Sequence, residues 1–205
     1  MHADTTTQTP PATLIGALWP RAEPRDLLRL AVLAVTGVVL LTISAKIKVP
    51  FYPVPMTLQT LALAVIAASF GARLAGATVL LYLAAGMAGL PVFANTPPAI
   101  AGLGYMMGPT GGYLLGFVLA ALLVGHLAER GWDRSLPALF FAMLLGDAVI
   151  LSLGTAWLAF GAGLGLAKAL QVGLYPFLLA ALLKEALGAA VIRGAWTLVR
   201  KLRAG

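Results

Sequence analysis

Residues 74–128 read LAGATVLLYLAAGMAGLPVFANTPPAIAGLGYMMGPTGGYLLGFVLAALLVGHLA, without one Lys, Arg, Asp or Glu, and His126 is the only imidazole among them. No soluble domain of this size hides so much apolar chain, whereas a bilayer core asks for about 20 apolar residues per spanning helix. Two apolar segments, 74–90 and 111–128, flank a connection rich in Pro and Gly. Helix, uncharged loop and helix in that order point to an all-α integral membrane protein.

The rest of the chain agrees. Its 205 residues are 60% hydrophobic and 10% charged, with a mean hydropathy of +0.95, whereas soluble proteins carry about 25% charged residues. Clusters of breakers divide it into six candidate spans: 27–45, 56–71, 74–90, 111–128, 136–160 and 176–199. Residues 1–26 hold Thr, Pro and charges of both signs but no apolar signal-peptide core. They read as a partly disordered cytoplasmic tail ahead of a six-helix membrane domain, 27–205. The second span is short and follows Pro50, Pro53 and Pro55, so it either tilts or starts inside a re-entrant loop.

Six crossings put both termini on one side, and the distribution of cations then gives the orientation. Ten lie on the terminal side: Arg21, Arg25, Arg29, Arg73, Arg130, Arg134, Arg193, Arg200, Lys201 and Arg203. Three lie opposite, Lys46, Lys48 and Lys168. The expectation is a multi-pass protein of the cell membrane with both termini cytoplasmic and outward connections at 46–55, 91–110 and 161–175. The net charge of +7 does not indicate nucleic acid, because the basic residues sit at the ends of apolar runs and form no stripe with interleaved aromatics. The absence of cysteine excludes disulfides, thiolate zinc sites and thiol catalysis. Small-residue pairs at Ala64 and Ala68, Ala84 and Ala88, and Ala186 and Ala190 read as sites of close helix packing within the chain.

Candidate functional residues fall in three places. Asp147, Lys184 and Glu185 lie within spans, where each charge costs roughly 2.5–3.5 kcal/mol and needs a partner, water or a function. With Pro176 opening the last helix, Lys184 sits about 12 Å along its axis. From there its ammonium either reaches a cavity open to the outside or pairs with Asp147. Glu185 points about 100° away from it around the helix. The loop 91–113 supplies the Asn95 amide, the Thr110 hydroxyl, the Phe93 and Tyr113 rings and flexible glycine turns including Gly108. That set suits a neutral polar ring better than a phosphate. Before the second span, Thr57 and Gln59 either bind a ligand or cap and cross-link helices. Energising and catalytic motifs are missing: residues 161–169 have the wrong spacing for a Walker A loop, and no HExxH or Gly-x-Ser-x-Gly occurs.

Three runs carry a resemblance: Pro53-Val54-Pro55-Met56-Thr57-Leu58-Gln59-Thr60-Leu61, residues 82–93 from Tyr82 to Phe93, and Gly108-Pro109-Thr110-Gly111-Gly112-Tyr113 with the four residues that follow. Together they resemble the BioY family of biotin transporters. The resemblance implies the six-helix S-component fold of energy-coupling factor transporters and capture of biotin from outside. It further implies a separate transmembrane T component, cytoplasmic ABC ATPases, no resident cofactor and no enzymatic activity. It carries Lys184 over as a binding residue, and with the readings above the expected substrate-site residues are Lys184, Asn95, Asp147, Thr57, Gln59, Tyr82, Phe93, Gly108, Thr110 and Tyr113. The family's last motif, Pro-Phe-x-x-Gly-Asp-x-x-Lys, keeps its ends here as Pro176, Phe177 and Lys184, but Ala180 and Ala181 replace Gly and Asp. Asp147 is expected to supply the missing carboxylate. Helix one presents Ala31, Ala34 and Gly37 without the Ala-x-x-x-Ala spacing that many S components use for docking. The alternatives are an S component for another small vitamin and, from a different class, an intramembrane enzyme using Asp147 and Lys184.

Overall fold

The computed structural model describes residues 13–19, 26–49 and 52–204. A short helix α1 (Leu14–Leu18) precedes α2 (Asp26–Lys46). A two-residue hairpin of β1 (Lys48–Val49) and β2 (Met56–Thr57) leads into α3 (Gln59–Phe70) and α4 (Ala72–Met87). Then come α5 (Leu103–Met106), α6 (Gly111–Glu129), a 3₁₀ turn at Trp132–Arg134 and α7 (Leu136–Ala156), which continues as a π-helical turn at Trp157–Gly161. Helices α8 (Leu166–Gly173) and α9 (Tyr175–Ala204) complete the chain.

Length and composition separate the helices into two kinds. Helix α2, helix α6, α7 with its π turn, and the stretch Leu166–Arg203 containing α9 are long and apolar enough to cross a membrane. Helices α3 and α4 are apolar but have only 12 and 16 residues, so they rise about 18 and 24 Å where a hydrocarbon core is about 30 Å thick. Together they make the six-helix arrangement that the hydropathy implies.

Helix α6 is the centre of the bundle, packed against α3, α4 and α7, while α9 bridges α3 and α7. Its buried face runs through Gly112, Tyr113, Gly116, Phe117, Ala120, Ala121 and Val124, the spacing of one helical stripe. Small side chains in that stripe bring α7 close, which is how helices gain contact energy in lipid. Outward-facing residues such as Leu115, Leu119, Leu145, Leu179 and Leu183 are exposed, as a lipid-facing surface requires.

The boundaries differ from the sequence expectation in instructive places. Met56 and Thr57, expected in the second span, pair with Val49 and Lys48 in the hairpin, so the proline-rich run ends in a strand and α3 begins only at Gln59. The connections expected at 91–110 and 161–175 contain α5 and α8. Within the expected tail, α1 packs against α3 and α9 with Leu14 and Ala17 buried, and Arg203 Nη2 donates to Ala17 O at 2.7 Å. Residues 1–12 and 20–25 of that tail lie outside the described residues. Of the three small-residue pairs only Ala64 and Ala68 are buried; Ala84, Ala88, Ala186 and Ala190 are exposed. Four-residue spacing of alanines therefore does not by itself identify a packing face in so apolar a chain.

Candidate functional site

At the end of the bundle where the hairpin, α5 and α8 gather, the helices enclose a cavity of about 560 Å³, counting its open mouth. Thr57 comes from β2, Gln59 and Thr60 from the first turn of α3, Phe93 from the loop after α4, Tyr105 from α5, Thr110 and Tyr113 from the start of α6, and Phe177 and Lys184 from α9. Val54, Leu114, Phe117, Ile150 and Leu151 supply aliphatic and aromatic wall. The sequence brings these together because the prolines before α3 and the glycines before α6 start both helices at the cavity rather than outside the bundle.

Lys184 is the one ammonium among the lining residues. Its Nζ donates to Thr60 Oγ1 at 2.6 Å and more weakly to Thr57 O at 3.4 Å. The Thr60 hydroxyl also engages Asp147, which lies behind the cavity wall, 5% exposed, and is electrostatically coupled to Lys184. Asp147 Oδ1 has no hydrogen-bond partner among the described residues. Three helices thus meet through one threonine: α3 holds Thr60, α7 holds Asp147 and α9 holds Lys184. Glu185 is 1% exposed and does not line the cavity.

The opposite wall is aromatic. Phe93 stacks on Tyr105 with ring centroids 4.8 Å apart and meets Tyr82 edge-on at 5.6 Å, geometries favoured by the ring quadrupoles. Gly86 makes room for this cluster, since a Cβ there would stand 2.1 Å from the Phe93 ring. Tyr82 is fully buried behind Phe93; its hydroxyl accepts from Gln59 Nε2 at 2.8 Å and donates to Val92 O at 3.1 Å. The Tyr105 hydroxyl accepts from the Asn95 backbone N–H at 3.4 Å. Burial pushes it above the usual phenol range, with the Asn95 N–H and the Thr110 hydroxyl pulling the other way.

At the third wall the Tyr113 ring lies on Gly154, where a Cβ would sit 2.3 Å away, and its hydroxyl donates to Gly173 O at 2.7 Å. Trp157 Nε1 donates to Gly108 O at 2.9 Å, tying the turn before α6 to the π turn that ends α7.

Of the ten residues that the sequence singles out, Thr57, Gln59, Phe93, Thr110, Tyr113 and Lys184 line the cavity. Tyr82, Asp147 and Gly108 stand one layer behind it and act on residues that do. Asn95 is outside the lining: its Oδ1 accepts from Lys48 Nζ at 2.8 Å. Tyr105, within the loop 91–113, and Phe177, in the last motif, also line the cavity; Thr60 and Trp157 escaped the sequence reading. Thr60 alone carried a usable signal, because it follows Thr57 by three residues and so repeats a hydroxyl on nearly the same side of the chain.

A small, partly apolar solute fits such walls, with hydroxyl, amide and ammonium groups to satisfy its polar edges. Comparisons with known proteins give the family. The BioY family model matches residues 12–201. The biotin transporter BioY2 of Lactococcus lactis subsp. cremoris is 33% identical over 161 residues, which cover 77% of this chain and 86% of that protein. The biotin transporter BioY of Thermotoga maritima is 36% identical over 152 residues, or 74% and 86% of the two chains. Among solved structures, the S-component for biotin from an ECF-type ABC transporter shares the fold, with a TM-score of 0.74 over 90% of this chain and 96% of that one at 22% identity. Matched over nearly all of its length, the chain belongs to the BioY family.

Proposed function

We propose that this protein captures biotin from the external face of the cell membrane as the S component of an ECF-type transporter. The observation that carries the reading is the cavity joining Lys184, Thr57, Gln59, Thr60, Thr110 and Tyr113 to a stacked aromatic wall. Biotin presents an apolar sulfur ring fused to a ureido ring with two N–H donors and a carbonyl acceptor, and an acyl tail ending in a carboxylate. The Phe93, Tyr105 and Phe177 rings and the Ile150–Leu151 wall take the apolar ring system. The hydroxyls, the Gln59 amide and the Lys184 ammonium satisfy the polar edges. Asp147 works one step back, holding Thr60 and Lys184 in place where α9 carries Ala181 instead of an acid. Tyr82, Gly108 and Asn95 support the walls.

Capture needs no catalysis, and the relatives named above are transporters. The chain has no nucleotide-binding loop, so energy for release comes from a transmembrane T component and cytoplasmic ABC ATPases. Both termini are on the cytoplasmic side, as ten cations against three favour.

Purified protein incubated with radiolabelled biotin should retain one molecule per chain through gel filtration. Loss of all label, with retention of a different vitamin in native mass spectrometry, would overturn biotin as the ligand. The replacement of Gly and Asp by Ala180 and Ala181 makes that second vitamin reading the one to test alongside.

A further inference from the structure

The loop after α4 closes one wall of the cavity with Phe93 and Ala94, yet it has no regular secondary structure to satisfy its backbone. Most of its carbonyls are instead bound by two lysines, one at the end of the neighbouring α2 and one in β1. Lys46, the last residue of α2, directs its ammonium at three of them: Pro91 O at 2.7 Å, Phe93 O at 2.6 Å and Thr96 O. Lys48 donates to Ala94 O at 2.9 Å and to Asn95 Oδ1 at 2.8 Å. Tyr82 takes the carbonyl of Val92, Ala99 N donates to that of Asn95, and Thr96 adds its own bonds to Phe93 O.

An ammonium is a compact charge with three donors, and a collar of three carbonyls uses all of them. Each bond is charge-assisted, and an unmet carbonyl near a bilayer costs free energy. These lysines therefore do more than mark the outer side of the membrane. We infer that Lys46, seconded by Lys48, is the fastening that holds the 91–96 wall over the bound solute, so that it governs how fast the solute leaves. Lys46 does not itself line the cavity; it acts by fixing the backbone on which Phe93 is mounted. This places it as a positioning residue, and the inference rests on the cavity being the solute site proposed above.

The absence of cysteine in the chain gives a clean test. In Lys46→Cys the new thiol is unique. Its thiolate displaces bromide from 2-bromoethylamine, forming a C–S bond and leaving an ammonium on a side chain as long as lysine. The same thiol capped with methyl methanethiosulfonate stays neutral. Two readouts are taken on the full chain in detergent: dissociation of radiolabelled biotin, and hydrogen exchange of the amides of residues 92–96 without ligand. The neutral forms should release biotin about tenfold faster and exchange faster by a similar factor, with both restored by aminoethylation but not by the neutral cap. Unchanged exchange and unchanged release in K46C would end the proposal. If the parent protein retains no biotin while exchange still follows the charge at position 46, the biotin assignment fails and the fastening stands. Should K46C not fold, Lys48→Met removes the bonds to Ala94 and Asn95 from an exposed side chain and is read the same way. Accelerated exchange over 92–96 supports the proposal, and native-like exchange there opposes it.

Discussion

The Lys184 ammonium lies 2.6 Å from the Thr60 hydroxyl, so the last helix of the bundle is fastened at the cavity to the first turn of α3. Replacing Thr60 with Val keeps the side-chain shape and removes this acceptor. A hydrogen bond to a charged group contributes about 1.5–3 kcal/mol, so T60V is expected to weaken biotin binding by roughly ten- to a hundredfold. Isothermal titration on the purified variant measures it. An affinity equal to that of the parent would show that Lys184 is placed by other contacts.

Asp147 meets the same threonine from α7. Asp147→Ala should lower biotin affinity by about tenfold or more, since removing one partner of a buried charged pair leaves the other unmatched. Asp147→Asn should do less harm, because the amide can still meet the Thr60 hydroxyl. Equal affinity in D147A and the parent would defeat the idea that this residue stands in for the acid absent at Ala181.

The tryptophan that ends α7 gives a third prediction. Trp157→Phe keeps a ring against the glycines of α6 but loses the bond to Gly108 O. A neutral hydrogen bond is worth about 0.5–1.5 kcal/mol, so a loss of affinity of roughly three- to tenfold is expected, with the unfolding temperature little changed. A large drop in thermal stability instead would assign Trp157 a packing role alone.

Gly86 stands where Phe93 presses on α4. A methyl group there meets the ring at 2.1 Å, and overpacking of this sort typically costs about 1–3 kcal/mol. Gly86→Ala should lower the unfolding temperature in detergent and also displace Phe93, weakening biotin binding. Both effects are absent if the ring turns aside freely.

At the opposite end of the bundle Asp133 accepts from Trp196 Nε1 at 2.6 Å while the Arg134 guanidinium lies over the indole, 4.7 Å from its centroid. Burial raises the Asp133 carboxyl above its usual range, opposed by Trp196 and Arg134. The folded state therefore holds a proton more tightly than the unfolded chain. Its contribution to stability is full below the ordinary carboxylate value and is lost as pH climbs through the raised one. Thermal unfolding of the parent should weaken over that window, and Asp133→Asn should flatten the dependence. An unaltered pH profile in D133N would locate the effect elsewhere.

Much of the architecture was legible because hydropathy and breakers act locally. The starts of α6 at Gly111 and of α7 at Leu136 fall where the glycines and the Ser135–Pro137 turn place them. The start of α3 was harder to read. Met56 and Thr57 are apolar enough for a span, and only pairing with Lys48 and Val49 turns them into a strand. The site was legible where chemistry was unusual for its surroundings, as at Lys184, and where long motifs carried Thr57, Gln59, Phe93, Thr110 and Tyr113. It was not legible at Asn95, whose amide looked free until Lys48 occupied it. Nor was it legible at Thr60 and Trp157, whose partners lie far along the chain.

Helix α4 brings a further consequence. Its 16 residues leave it about 6 Å shorter than the hydrocarbon layer beside it, and its outer side carries exposed Leu80 and Leu81. Lipid chains on that flank have to compress to match it, at a cost that grows with their length. The thickness of the host bilayer thus becomes a force on one side of the protein, and short-chain lipids should ease it.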